Sequence, residues 1–544
     1  MRLFVSIALV LAACASPNVS SLRFTNAPAA QLVDDRRDIA KPETRVFART
    51  LYMLDIFFAR RLPRSLALED TRRAGDVNAL DEVPDSTWFT NRIGVRDLDD
   101  NEIRTAGRQG VSDPHGPWSV IGTKVGGQSP GFLVRDASGA KFVMKFDSRG
   151  APDMQTGADV VVQKLLWAAG YNTPDDSIVT FHRDELTLGA NAKVEDVFGN
   201  KHAMTVRDLE NVLAEIDSRD DGSYRALVSR YLDGQPVGGY AAEGRRGDDP
   251  NDQVAHENRR ALRGQRVLFA WLDHTDVKED NGLDMWATDG GHHYLKHYVL
   301  DFGLALGTYG WDQTDPADGY AETVDLEYAG LSLMSLGMWK RPWEGADAPV
   351  IRGVGRLESS HFEPLEWRDR YPYVPFDRVE DSDGFWAAKL VMRFTERQIR
   401  AAVEQGRYED PRAIDYLVRV LVERQRATGL AWFSRVSPLD AFSISGDGAL
   451  CFDDLLLAQF PGLPPTRYVG KAYGYDGAVV NWTANVPGGA HACLPTLPAA
   501  ADRDGYLIVE LHAVRGNEQL PPVRVHVARD PQTRRLRVIG IRRR

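Results

Sequence analysis

The residues best suited to chemistry stand close together. They are His274, Asp276, Lys278 and Asn281, spaced His-x-Asp-x-Lys-x-x-Asn, with Asp301-Phe302-Gly303 further along. Carboxylate and amide oxygens are the donors that a hard divalent cation takes, Mg2+ among them. Lysine ammonium groups are the point charges that phosphate oxygens accept. A further lysine, Lys145, closes the upstream run Val143-Met144-Lys145. These types together point to work on a phosphate held with a metal ion. At average composition, the four fixed residues at this spacing arise by chance in roughly one of several hundred chains this long. The downstream Asp-Phe-Gly makes coincidence rarer again.

In type, order and spacing the set resembles the catalytic loop and Asp-Phe-Gly turn of the protein-kinase-like superfamily, with Val143-Met144-Lys145 in place of the V-A-I-K strand. The resemblance covers about residues 111 to 435. It is closer to atypical bacterial branches, such as HipA-type and spore-coat CotH-type kinases, than to ordinary Ser/Thr kinases. It implies roles for single residues. Asp276 would orient or accept the proton of an attacking hydroxyl, and Lys278 would contact the transferring phosphate. Asn281 and Asp301 would ligate Mg2+, with Mn2+ as an alternative. Lys145 would hold the α- and β-phosphates of ATP, with Asp159 as its acidic partner. The turn through Gly126, Gly127 and Ser129 would cover those phosphates, glycine permitting close backbone approach. His274 reads as a structural histidine beside the metal site. Three departures set the chain apart. The turn reads Gly-Gly-Gln-Ser-Pro-Gly, with no G-x-G-x-x-G. Asp159 is one methylene shorter than the usual glutamate. No A-P-E follows Asp301; Leu304-Ala305-Leu306-Gly307 and a Trp- and Pro-rich segment stand there instead.

The elements that must position these residues can be read from periodicity. Alternation predicts strands over 118–124, 132–135 and 141–146, joined by small-residue turns. A helix over 157–169 carries Val160, Val161, Leu165 and Leu166 on one face and stops at Gly170. Strands over 177–181 and 226–231 flank a charged insertion. Helices then dominate: 256–272, one opened by the capping box at Thr395, and one opened by Asp410-Pro411 and ending near Gly429. His292, His293 and His297 fall in a presumed hairpin and, like Asp280 and Asp284, read as solvated. After residue 436 strands return, at 506–512, 523–527 and 536–541, and the arginines of 534–544 read as an exposed strand end. The predicted fold class is α+β, a two-lobed kinase-like fold with a β-rich lobe over about 111–232 and a helical lobe over about 233–435. An N-terminal extension, 21–110, packs on it, with a helix near 44–61. A small all-β domain, 436–544, follows.

The 544 residues carry a net charge of −11, which argues against nucleic acid as a main partner. Residues 1–20 stand outside this fold as a lipoprotein signal peptide and tether. Arg2 precedes a short apolar run, and Leu11-Ala12-Ala13-Cys14 resembles the bacterial lipobox, so Cys14 is the expected lipidation site. The chain is then expected in the bacterial cell envelope, lipid-anchored at the outer membrane and facing the periplasm. Cys451 and Cys493 remain as an even pair in an oxidising compartment, so a disulfide is predicted, with two separate buried thiols as the alternative. The expected activity is phosphate transfer from Mg-bound ATP to an acceptor hydroxyl on protein, glycan or lipid. The alternatives are an AMP-transferring enzyme of the same fold and a non-catalytic envelope scaffold.

Overall fold

The computed structural model describes residues 22–46, 49–59, 72–106, 108, 113–124, 129–195, 200–341, 343–345, 348–460, 462–500 and 504–543. Cys14, Gly126 and Gly127 lie outside them. Contacts divide the chain into two compact units. The larger holds residues 30–78 and 82–435; the smaller joins 436–544 with 79–81 and the N-terminal stretch up to 29. The segment 21–110, expected as one extension, is therefore shared between them.

The larger unit is a mixed α/β body built on a seven-stranded sheet. Its strands are β1 (Trp118–Thr123), β2 (Gly131–Arg135), β3 (Lys141–Lys145), β4 (Asp176–Phe181), β5 (Leu186–Glu195), β6 (Lys201–Ala203) and β7 (Tyr224–Arg230), in spatial order β4-β7-β3-β2-β1-β5-β6. The stretch 182–223, read as an insertion, thus supplies two strands, and β5 runs parallel to β1. Alternation decides the faces, as a pleated strand requires. Phe142 and Met144 of β3 enter a core with Trp118, Val120, Phe132 and Val134. Val143 and Lys145 point the other way. Gly131 sits opposite Lys145, and a Cβ there would collide with the Met144 carbonyl oxygen. Helix α1 (Met154–Ala169) begins three residues before the expected start and is buried along nearly its whole length.

Beyond the sheet, the predicted helix 256–272 is broken. A 3-10 turn His256–Asn258 and a short helix Arg260–Arg263 precede α2 (Gln265–Leu272). Gly264 marks the break, where a Cβ would lie 2.6 Å from the Trp386 ring. A hairpin of β8 (Gly282–Asp289) and β9 (His292–Val299) follows. Helices α3 (Asp381–Arg393), α4 (Glu396–Val403) and α5 (Pro411–Phe433) complete the unit. Thr395 caps α4 through the box read from the sequence, and Asp410-Pro411 opens α5. Two readings of solvated residues are corrected. Asp284 is 1% exposed, held by Arg246 at 2.9 Å and by His297 Nδ1 at 2.6 Å. His297 is buried too, stacked on Trp88. Among the described residues, no helix is long and apolar enough to cross a membrane.

The smaller unit contains a three-stranded and a six-stranded sheet, together with a short helix, Leu455–Gln459, that the all-strand reading lacked. Cys451 and Cys493 face each other across adjacent strands and are bonded, with S–S 2.08 Å. Arg543, expected on an exposed strand end, is buried and pairs with Asp440 at 2.8 Å and with Asp81 at 3.3 Å.

His526 is wholly buried, with Nδ1 at 2.9 Å from the Tyr506 hydroxyl. Burial, and next the charge of Arg23, push its pKa down to about 3 from 6.5. Between those values the unfolded chain binds the proton and the folded unit does not, so stability falls as pH drops below 6.5. Urea unfolding of this unit should lose about 2 kcal/mol from this residue between pH 7 and pH 5. His526→Asn should flatten that slope; an unchanged slope would contradict the assignment.

Candidate active site

One cleft of the larger unit brings the described members of the expected set together. From β3, the Lys145 Nζ reaches Asp159 Oδ2 on α1 at 3.0 Å and Asp301 Oδ1 at 3.0 Å. The shorter aspartate side chain therefore suffices. Asp159 is 4% exposed, and its other oxygen accepts the Phe302 N–H at 3.1 Å. This carboxylate thus ties the strand lysine to the Asp-Phe-Gly turn. Asp301 has φ 65°, in the left-handed region that costs a non-glycine residue energy. That backbone turn leaves its carboxylate half exposed to the cleft.

Helix α2 ends at Asp273, also left-handed at φ 50°. The loop then carries Asp276 into the cleft, where both carboxylate oxygens meet the Lys278 ammonium, at 2.7 and 3.0 Å. Asn281 Nδ2 donates to the Asp276 carbonyl at 2.7 Å. That bond ties the loop to Asn281 through its Nδ2, so the atom that could face a metal ion is the amide oxygen. The His274 ring packs edge-on against Phe269 and Phe302, at 4.7 and 5.8 Å between centroids. Burial pushes its pKa down to about 4, so the ring is neutral near pH 7 and joins the loop to the Asp-Phe-Gly turn without carrying charge.

The cleft's charges are strongly coupled. Burial alone would lower the Lys145 pKa, but the carboxylates of Asp159 and Asp301 outweigh it and hold the ammonium well above its ordinary value. Lys145 in turn holds Asp301 well below the carboxylate range. Asp159 is raised, first by burial. Lys278 follows the pattern of Lys145: burial lowers it, and Asp276 more than compensates. An ionised Asp301 carboxylate and the Asn281 amide are hard oxygen donors, the set that suits Mg2+ or Mn2+.

Several cleft residues escaped the sequence reading. Lys124 follows β1 and donates to the Ser129 carbonyl at 3.2 Å, while the Ser129 hydroxyl donates to Gln155 at 2.9 Å. Arg370 and Tyr371 line the end of the cleft that holds Asp276 and Lys278, and the Arg370 N–H donates to the Thr275 carbonyl at 2.9 Å. Beside Lys145 the cleft widens to about 560 Å³, with apolar walls from Val143, Tyr231, Leu232, Leu283, Met285 and Leu300. Leu300 carried a sequence signal, because it immediately precedes Asp301. Lys124 had a signal as well, as a cation at the strand end entering the Gly-rich turn.

No family model matches the sequence, and no curated protein matches it. Among solved structures, the chain is similar to Golgi casein kinase with Mn/ADP bound. Identity is 13% over 73% of this chain and 93% of that one, with a TM-score of 0.29. A second structure of Golgi casein kinase aligns at 12% identity over 73% and 94%, with a TM-score of 0.23. At these scores the likeness is loose.

Proposed function

We propose that this chain is a kinase-like phosphotransferase that moves the terminal phosphate of Mg-bound ATP to an acceptor hydroxyl. The observation that carries this reading is convergence. A strand lysine paired to Asp159 and Asp301, and a loop bearing Asp276, Lys278 and Asn281, meet in one cleft beside a slot large enough for a nucleoside. Phosphoryl transfer asks a protein mainly for positioning and charge neutralisation, and this site supplies both.

Lys145 neutralises the α- and β-phosphates, kept charged and fixed by its two carboxylates. Asp301 and Asn281 hold Mg2+, which supplies neutralisation of charge on the phosphate oxygens; Mn2+ fits the same donors. Asp276 accepts the proton of the acceptor hydroxyl as that oxygen bonds to the γ-phosphorus. The bond from phosphorus to the β–γ bridging oxygen breaks, and ADP leaves. Lys278, held at Asp276, offers a cation to the phosphate in transit. Lys124 and Ser129 stand at the phosphate end, beside the turn that contains Gly126 and Gly127. The acceptor belongs to protein, glycan or lipid.

The N-terminal Leu11-Ala12-Ala13-Cys14 supports export and lipid anchoring through Cys14, at the outer membrane facing the periplasm. The division proposed remains an N-terminal extension, the phosphotransferase body over 111–435 and a C-terminal domain from 436. The direct test is Mg-dependent transfer of label from γ-labelled ATP to envelope fractions. Label from α-labelled ATP appearing on the acceptor instead would contradict phosphate transfer.

A further inference from the structure

The widened part of the cleft has a polar back wall that the phosphate chemistry does not use. Asp176 opens β4 directly opposite Ser229 of β7, and Ser229 lies opposite Val143 of β3. Cross-strand partners share a face. The three side chains therefore form a row across the sheet, on the face that carries Lys145, and all three line the cleft.

Asp176 is 2% exposed, and its Oδ1 is buried without a hydrogen-bond partner. Ser229 bonds to the carboxyl group. The nearest ammonium on α1, that of Lys164, is directed at the Asp176 main-chain carbonyl at 2.8 Å. Lys145 is committed to Asp159 and Asp301. Burial, and next the charge of Asp159, push the Asp176 pKa up to about 7, so the resting protein satisfies the charged form poorly. A buried carboxyl oxygen left unpaired is costly and needs a reason. Here the carboxyl group stands in the wall of a cleft with the dimensions of a ligand site, beside the apolar side chains of Val143, Leu283 and Met285.

We propose that Asp176, oriented by Ser229, reads the base of the bound nucleotide, its carboxyl group accepting a hydrogen bond from the exocyclic amine of adenine. This rests on the phosphotransferase reading of the cleft. The selection belongs to the ionised carboxyl group, the form that adenine's N–H favours. A 6-oxo purine presents a lone pair where adenine presents an N–H, so the carboxylate meets repulsion where it would find a donor. Sites built to bond one group reject the analogue that lacks it more strongly than apolar pockets can.

The experiment compares ATP with ITP, each with Mg2+, by direct binding to the full chain and to Asp176→Asn and Asp176→Leu. Wild type should bind ATP about tenfold or more tightly over ITP, the effect of one charge-assisted hydrogen bond. Asp176→Leu should bring the two nucleotides within about threefold of each other, chiefly by weakening ATP. Asp176→Asn keeps the shape if leucine disturbs folding, and its amide can serve either base, so the preference should shrink there too. Equal binding of ATP and ITP by wild type, or a preference unchanged in both variants, overturns the base reading and leaves the phosphotransferase reading standing. Wild type that binds neither nucleotide overturns both.

Discussion

Asp276→Asn is expected to lower phosphate transfer by about a hundredfold to ten-thousandfold while the protein stays folded and binds nucleotide as before. A positioned proton acceptor contributes roughly 10²- to 10⁴-fold to a rate, and asparagine has the shape of aspartate without its basicity. The loop should survive the change. Asn281 holds it through the Asp276 main-chain carbonyl, at 2.7 Å, and the Arg370 N–H holds it through the Thr275 carbonyl. The loss should therefore fall on kcat, with nucleotide affinity unchanged, because the role proposed for Asp276 is on the acceptor and that for Lys145 is on the nucleotide. Activity within tenfold of wild type would remove Asp276 from the role assigned to it.

Asp383→Ala is expected to cost about 3–5 kcal/mol of unfolding free energy. The carboxylate of Asp383 receives Arg260 Nε at 2.8 Å and Arg263 Nη1 at 3.1 Å, and all three side chains are fully buried. It also accepts the Glu380 N–H at 3.1 Å, closing the cap of α3. Alanine leaves two buried guanidiniums short of their shared counter-charge and opens the helix cap as well. Asp383→Asn keeps acceptor oxygen and shape, so its cost should be smaller. Urea unfolding reads both, and a loss below about 1 kcal/mol for alanine would mean that the cluster relaxes to solvent.

What was legible in the sequence was local. The loop residues from His274 to Asn281 lie within one short stretch, and Lys145 announces itself by strand alternation two residues after Val143. Asp159 was legible because α1 follows β3 directly. Arg370 was not, since only the tertiary path brings it beside Thr275. Asp176 lies one residue before the strand predicted over 177–181; its place in the wall depends on lying opposite Ser229, across a pairing with β7 that no short spacing reveals. The Asp284–His297–Arg246 cluster was misread for the same reason. Charged residues are usually exposed, and Arg246 is distant in sequence from the carboxylate it neutralises. The strand β5 hid in a half-exposed, weakly patterned run whose parallel partner β1 lies far upstream.

The central claim, that this cleft holds a Mg-bound nucleotide, is tested most directly by thermal unfolding of the chain with ATP alone, with Mg2+ alone and with both. Ligand at about 100 times its Kd stabilises a fold by about 2.7 kcal/mol, a readily measured shift. A rise in Tm that needs both ATP and Mg2+, and that disappears in Asp301→Ala, is the predicted result. No shift in a folded protein, or a shift that Asp301→Ala leaves intact, would contradict it.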